Sequence, residues 1–291
     1  MLGLSLALAA GLAFPFLHPA GSTLIHSLAT VGTGNLRVLI ENSHGIVHSV
    51  AIPGDDDTVF GGNVYDGKIN IDLISNSNMI DRAYLLYGLH PAPKRILVIG
   101  LSSGAWTRII GSIPSVEKID VVEINPGYIK MIRNYPHLSP LLDDPRLTLH
   151  IDDGRRWLRS SHEKFDLIVM NTTYHWRANS TNLLSVEMMS LVRDSLAQDG
   201  IFAFNTTSSF DSFYTAAEVF PHAYLFRNFV YAAKHDFRDQ LPLLTERLKQ
   251  FRLDGQPLLP NTLEGEGALS KLASIKFIGI QQITDIFPRP L

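Results

Sequence analysis

Glycine and acidic residues recur in this chain where short apolar runs end. Gly100-Leu101-Ser102-Ser103-Gly104 follows Arg95 to Gly100 (RILVIG), and Glu123 lies at the end of Lys118 to Ile124 (KIDVVEI). Asp152-Asp153-Gly154 follows Leu147 to Ile151, and Asn171-Thr172-Thr173-Tyr174-His175-Trp176-Arg177 follows Phe165 to Met170 (FDLIVM). Glycines let backbone N–H groups approach a ligand closely. A carboxylate placed like Glu123 can accept two hydrogen bonds from a ribose diol. Asp152 and Asp153 suit an adenine amino group. Asp and Asn also close turns and cap helices, and many glycine turns only join a strand to a helix. Acidic groups at two successive strand ends after a glycine turn favour a nucleoside-type ligand over capping alone.

The Asn171 to Arg177 segment carries a different chemistry. An amide such as Asn171 cannot act as a general base near neutral pH. His175 titrates there and can take a proton. Tyr174 and Trp176 offer aromatic faces to a cation, whereas Arg177 favours an anionic acceptor. Asn171, Tyr174 and His175 are therefore the catalytic candidates. The plainer alternative is a loop histidine, a tryptophan packed on the core and a solvated arginine.

These residues need elements to position them. From Arg95 the pattern alternates strand and helix. Strands are expected over Arg95 to Gly100, Lys118 to Ile124, Leu147 to Ile151, Phe165 to Met170 and Ile201 to Asn205. Helices are expected over about Ala105 to Ser112, from Pro126, after Asp152-Asp153-Gly154, and over about Ser185 to Leu196. Repeated β-α units imply an α/β fold, a mostly parallel sheet with helices on both faces. Tyr224 to Ala233 is β-rich and suits closing antiparallel strands. Between Leu36 and Leu73, β-branched runs separated by Asn42-Ser43, Pro53-Gly54-Asp55, Gly61-Gly62 and Asp66-Gly67 imply a small N-terminal antiparallel β-domain. The acidic run Asp55 to Asp57 reads as a solvated hairpin tip. Ile80 to Leu89 reads as a helix stopped by Pro91 and Pro93, and Arg238 to Gly255 as loosely helical. The expected division is residues 1–35, 36–75, 76–237 and a C-terminal extension over 238–291.

The 291 residues are 45% hydrophobic and 18% charged, with a formal net charge of −3 and no cysteine. That is globular composition without the basic footprint of a nucleic-acid binder. The missing thiols exclude disulfides, thiolate zinc sites and cysteine nucleophiles. His44 and His48 lie on an extended segment, where their spacing makes no helical metal face, so no metal is expected. Met1 to Leu17 (MLGLSLALAAGLAFPFL) is uncharged and contains Pro15, and the first basic residue is Arg37. It reads as the tail of a membrane region, a lone marginal anchor or a buried helix. The first is favoured, because a basic start is missing. Basic residues follow only on the C-terminal side, which places the main domain in the cytoplasm, attached to the inner membrane through its N-terminus.

The order of these motifs resembles the spermidine synthases, the polyamine aminopropyltransferases, within the Rossmann-like methyltransferase folds. The resemblance rests on VYDGKIN at Val64 to Asn70, HPAPKRILVIGLSSG at His90 to Gly104, VEKIDVVEIN at Val116 to Asn125, LLDDPRLTLHIDDGRRWL at Leu141 to Leu158 and FDLIVMNTT at Phe165 to Thr173. It implies a role in polyamine biosynthesis, with S-adenosylmethionine or its decarboxylated form as co-substrate and an amine-type acceptor. It further implies that Glu123 holds the ribose hydroxyls and Asp152 the adenine amino group, with Asp153 beside it. By the same resemblance, the turn through Gly100, Ser102, Ser103 and Gly104 passes the sulfonium-bearing chain, Asn70 stands where a glutamine is usual, and a homodimer is expected. The apolar start is similar to the end of the membrane region to which some bacterial spermidine-synthase-like domains are fused.

Three departures bear on the reaction. The Asp usual in the glycine turn is Ser103. The Asp-Ser-Thr-Asp-Pro type sequence after the fourth strand is NTTYH, with Asn171 and Tyr174 at its two Asp positions. NSNMIDRAY at Asn76 to Tyr84 has no clear Tyr-His-Glu counterpart. The nucleoside-facing carboxylates are kept, while those that pair with ammonium groups are not. An unpaired ammonium in a partly dry cleft is costly, so ordinary transfer to putrescine is not expected. The alternatives are a non-catalytic nucleoside sensor and an S-adenosylmethionine-dependent methyltransferase. A dinucleotide oxidoreductase is disfavoured, since the turn lacks the three-glycine fingerprint.

Overall fold

A computed structural model describes residues 34–171, 174 and 180–286. The apolar Met1 to Leu17 run lies outside the described residues. So do Thr172, Thr173 and His175 to Asn179, including the catalytic candidate His175.

The N-terminal sheet is an antiparallel meander of β1 (Asn35–Asn42), β2 (Gly45–Ala51), β3 (Thr58–Gly61) and β4 (Val64–Lys68), paired in that order. The β3–β4 turn needs left-handed backbone at both central residues, and Gly62 and Asn63 supply it, with φ of 57° and 63°. Of the Asp55 to Asp57 run, Asp55 is exposed as a solvated tip would be, while Asp56 and Asp57 are partly buried. Asp55 pairs with Lys68, and Asp56 accepts from Asn70 Nδ2 (2.9 Å) and from Ser77. Asp57 accepts from the Tyr135 hydroxyl at 2.9 Å. The acidic run thus ties the meander to the segments that follow it.

The second sheet carries the expected alternation. Its strands are β5 (Arg95–Ile99), β6 (Lys118–Glu123), β7 (Leu147–Ile151), β8 (Phe165–Met170), β9 (Leu196–Asn205), β10 (His222–Phe226) and β11 (Phe229–Ala233). The parallel part runs β9-β8-β5-β6-β7. The hairpin β10–β11 closes it antiparallel against β9. The order reverses at β5, which is where an open α/β sheet forms its ligand crevice.

Both faces are covered. On β5, Ile96 and Val98 join one core cluster, while Leu97 and Ile99 join the other. The first cluster takes α1 (Asp81–Leu89), α2 (Ala105–Gly111), α3 (Gly127–Ile132) and Val47 and Val59 of the meander. The second takes α4 (Gly154–Ser160) and, after the short α5 (Ser180–Leu183), α6 (Val186–Ser195) and α7 (Phe210–Val219). Burial on both sides explains why these strands read as unbroken apolar runs rather than alternating ones.

Residues 238–286 are more ordered than a loose helix. A 3-10 turn at Arg238–Leu243 leads to α8 (Leu244–Gln250) and a small ribbon of β12 (Arg252–Leu253) and β13 (Gln256–Pro257). Then come α9 (Leu263–Ala273), β14 (Ile278–Gly279) and α10 (Ile280–Ile286). Leu244, Leu248 and Phe251 are buried in the first core cluster, and β14 pairs with β10 at the sheet edge. Among the described residues no helix is long and apolar enough to cross a membrane.

Candidate functional site

β6 delivers Glu123 into the crevice, where it is only 4% exposed. The glycine turn after β5 folds over it. Leu101 N–H donates to Glu123 Oε2 at 2.7 Å, and Asn125 N–H donates to Oε1 at 2.8 Å. The Ser102 N–H is a further backbone donor to this carboxylate, and with about four lone-pair sites on its two oxygens the group still keeps acceptor capacity. Burial pushes the carboxyl up to about 7, opposed by those backbone hydrogen bonds and reinforced by the nearby charge of Asp66.

The glycine turn needs its glycines. Gly100 and Gly104 have φ of 89° and 80°, and Ser102 is also left-handed at 49°. A Cβ on Gly104 would stand 2.9 Å from Ile132 Cδ1, so the turn packs directly on α3. Ser103 is buried, and its Oγ accepts from Ala105 N–H at the start of α2 (3.3 Å). The Ser102 hydroxyl donates to the Asp66 carbonyl, which brings the end of the meander onto the turn.

Asp152 follows β7, and its N–H donates to the Glu123 carbonyl at 3.2 Å. The two acid-bearing residues are therefore neighbours on adjacent strand ends. The Asp152 carboxylate accepts from Arg156 Nε at 2.6 Å. Asp153 has the capping role weighed from sequence: its side chain accepts from Arg156 N–H at 2.8 Å and caps α4. Gly154 lets α4 press on the sheet, since a Cβ there would meet Ile99 Cγ2 at 2.4 Å.

At the end of β8 the chemistry changes. Asn171 Oδ1 accepts from Asn205 Nδ2 (3.2 Å), and Asn205 Oδ1 accepts from Asn228 Nδ2 (3.0 Å). Asn228 Oδ1 accepts from Arg82 Nη1 at 2.6 Å. Arg82 also donates to the carbonyls of Met79 (2.8 Å) and Asn78 (3.0 Å), and its guanidinium lies over the Trp106 and Phe229 rings.

Asn70 stands apart. Its Nδ2 donates to Asp56 and, at 3.0 Å, to Ser75 Oγ, while its buried Oδ1 has no partner among the described residues. None of its bonds reaches the strand-end residues. Tyr174 lies near Tyr65. Among the described residues no group of three or more His, Asp or Glu side chains could hold a metal ion.

Sequence reasoning missed Arg82, Asn205, Asn228 and Asp66. Asp66-Gly67 reads as a turn, although the Asp66 side chain accepts from the Tyr128 hydroxyl. The one available signal for Arg82 was the Asp81-Arg82 charge pair inside the otherwise mostly apolar stretch Met79 to Leu86.

The chain is similar to known proteins in sequence and in fold. Residues 80–220 match the spermine/spermidine synthase domain family. The polyamine aminopropyltransferase of Agathobacter rectalis is 34% identical over 123 residues, covering 42% of this chain and 43% of that protein. The chain therefore matches less than half the length of that relative. A crystal structure of spermidine synthase in complex with the transition-state analogue AdoDATO superposes with a TM-score of 0.68 at 20% identity, covering 86% of this chain and 87% of that one. Spermidine synthase from Thermotoga maritima superposes with a TM-score of 0.61 at 21% identity, covering 81% and 88%. Residues 80–220 are thus similar to the spermine/spermidine synthase domain, and the chain shares the α/β fold of the spermidine synthase structures.

Proposed function

We propose that this chain is an aminopropyltransferase-like enzyme. It binds a sulfonium nucleoside across the ends of β5, β6 and β7 and passes an alkyl group, aminopropyl or a close relative, to an amine nitrogen. The observation that carries this reading is the buried Glu123 carboxylate. It is held by the Leu101 and Asn125 N–H groups beside Asp152, and has capacity left for a diol. The aminopropyltransferase relatives and the fold shared with an AdoDATO complex support decarboxylated S-adenosylmethionine as the donor.

The reaction is an in-line displacement. The acceptor nitrogen's lone pair forms a C–N bond to the carbon beside sulfur. The C–S bond breaks, and its electron pair leaves with sulfur as a neutral thioether. The new ammonium then loses a proton. Holding the two reactants in line supplies most of the acceleration. Asn171 cannot take that proton, so it positions rather than deprotonates. His175, which lies outside the described residues, is the sequence candidate for that proton. Asn70 Oδ1, buried and without a partner among the described residues, is an acceptor left for a ligand N–H.

Because Asn171 carries no base, a nucleoside-binding sensor is the second reading. Methylthioadenosine should raise the melting temperature of the protein, and Glu123→Ala should abolish the rise. No rise with methylthioadenosine or S-adenosylmethionine sinks both readings. If the rise is seen, incubation with decarboxylated donor and amines separates them: an enzyme releases methylthioadenosine and a sensor does not.

A further inference from the structure

Arg82 is only 4% exposed, and among the described residues no carboxylate is in salt-bridge contact with its guanidinium, although the charge of the adjacent Asp81 acts on it. Its neighbour Asp81 is taken by Arg227, at 2.8 Å. The cluster therefore holds two guanidiniums against one carboxylate, beside the end of β8. Burying a cation is expensive, and Arg82 is held by carbonyl and amide acceptors, two aromatic faces and a carboxylate charge shared with Arg227, which leaves a net positive charge that an anion can offset. Arginine does not lose its charge in proteins. Burial does lower its proton affinity, which records the cost.

The hydrogen-bond chain that leaves Arg82 has a fixed direction. A guanidinium only donates. Asn228 must therefore turn Oδ1 towards Arg82, which leaves its Nδ2 for Asn205. Asn205 must in turn offer Oδ1 to Asn228, leaving its Nδ2 for Asn171 Oδ1. No amide in the series can flip without setting donor against donor. The series ends on Asn171 Nδ2, which has no partner among the described residues. The half-buried end of β8 thus presents an N–H donor backed by a buried positive charge.

We propose that this end of the cleft is a binding subsite for an aliphatic carboxylate, read by Asn171 Nδ2 and stabilised through Asn205, Asn228 and Arg82. A donor-only group backed by a cation attracts a carboxylate and repels an ammonium. The assignment rests on the nucleoside reading above for its location and names the tail chemistry of that same site. The carboxylate comes from one of two sources. It belongs either to the donor, as in S-adenosylmethionine itself, or to the acceptor, as in an ω-amino acid whose amine still attacks.

Calorimetric titration of the full chain tests this. The first arm compares S-adenosylmethionine with its decarboxylated form. The second titrates 4-aminobutyrate or putrescine, which have similar length, into protein saturated with methylthioadenosine. A carboxylate on the donor should make S-adenosylmethionine the tighter of the pair by tenfold or more. A carboxylate on the acceptor should make 4-aminobutyrate tighter than putrescine by a similar factor. Asn171→Asp, which keeps an acceptor for Asn205 Nδ2 but removes the donor, should reverse whichever preference is seen. Arg82→Met should remove it, and Asn228→Asp, which gives Arg82 a carboxylate, is the milder check if Arg82→Met does not fold.

Tighter binding of both the decarboxylated donor and putrescine overturns the subsite, as does a carboxylate preference that survives Asn171→Asp. Failure of methylthioadenosine to bind, while 4-aminobutyrate still binds in preference to putrescine, refutes the nucleoside reading and leaves the subsite standing. Failure of all these ligands to bind overturns both.

Discussion

Methylthioadenosine binding should depend on pH through Glu123 alone. The ligand is neutral and titrates only in much more acidic solution. In the free protein, burial holds the Glu123 carboxyl near 7. A ribose diol donates two hydrogen bonds, which the ionised carboxylate accepts more strongly than the acid. Binding therefore favours the ionised form, lowers its pKa and releases a proton below about pH 7. The sign follows: affinity rises with pH up to about 7 and is flat above it. Each unit below the free-protein pKa costs up to ~1.4 kcal/mol, so Kd at about pH 5.5 should be roughly 30-fold weaker than at about pH 8.

Glu123→Gln is the control. Glutamine offers one acceptor where Leu101 and Asn125 present two N–H donors, at 2.7 and 2.8 Å. Its NH2 group then faces a backbone donor, and one diol hydrogen bond is lost. At about pH 8 this should weaken binding by ~2–3 kcal/mol, on the order of 100-fold. At about pH 5.5 the wild-type residue is itself mostly protonated, so the two proteins should converge. Calorimetry in two buffers of different ionisation enthalpy would count the released proton directly. A wild-type Kd that does not change between these pH values refutes the reasoning. So does a Glu123→Gln profile parallel to the wild-type one, which would assign the titration to another group.

Three further outcomes are expected. Asp153→Ala removes the cap of α4 and should cost ~1 kcal/mol of stability with little change in methylthioadenosine affinity. Asp152→Ala, whose partner Arg156 has a largely exposed side chain, should leave stability within ~0.5 kcal/mol but weaken the nucleoside about tenfold; the opposite pattern would reverse the two assignments. Gly104→Ala forces a left-handed residue and sets its Cβ 2.9 Å from Ile132 Cδ1, so urea unfolding should show a loss of ~1–3 kcal/mol. An unchanged midpoint would mean that the turn relaxes freely.

The central sheet was legible because its strands are buried on both faces. RILVIG and FDLIVM are nearly continuous apolar runs, and only doubly covered strands read that way. Ser185 marked the start of α6 correctly, because its side chain accepts from Met188 N–H. The start of β9 was not visible. The chain turns from helix to strand at Leu196, before the Asp199-Gly200 pair that looked like the break. The acidic run Asp55 to Asp57 was partly misread because its partners Lys68, Asn70, Ser77 and Tyr135 come from later segments. The amide series was invisible for the same reason. Its bonds join Arg82 to Asn228 and Asn205 to Asn171, residues far apart in sequence and unremarkable singly.

The two ends of the cleft rest on separate supports, and this has a measurable consequence. In the proposed nucleoside site, Glu123 is held by backbone donors from the β5 turn and the end of β6, with Asp152 after β7 beside it. The charge at the other end comes from α1 and reaches β8 through amides on β9 and the β10–β11 turn. No described hydrogen bond links Glu123 to Asn171. Changing the tail chemistry therefore needs no change in how the base and sugar are held, which is how Asn171 and Ser103 can coexist with an intact Glu123. A double-mutant cycle with Glu123→Gln and Asn171→Asp, read on tailless methylthioadenosine, should be additive within ~0.5 kcal/mol. A coupling well above that would show the two ends to be one network, and the argument that the tail end was re-specified independently would fail.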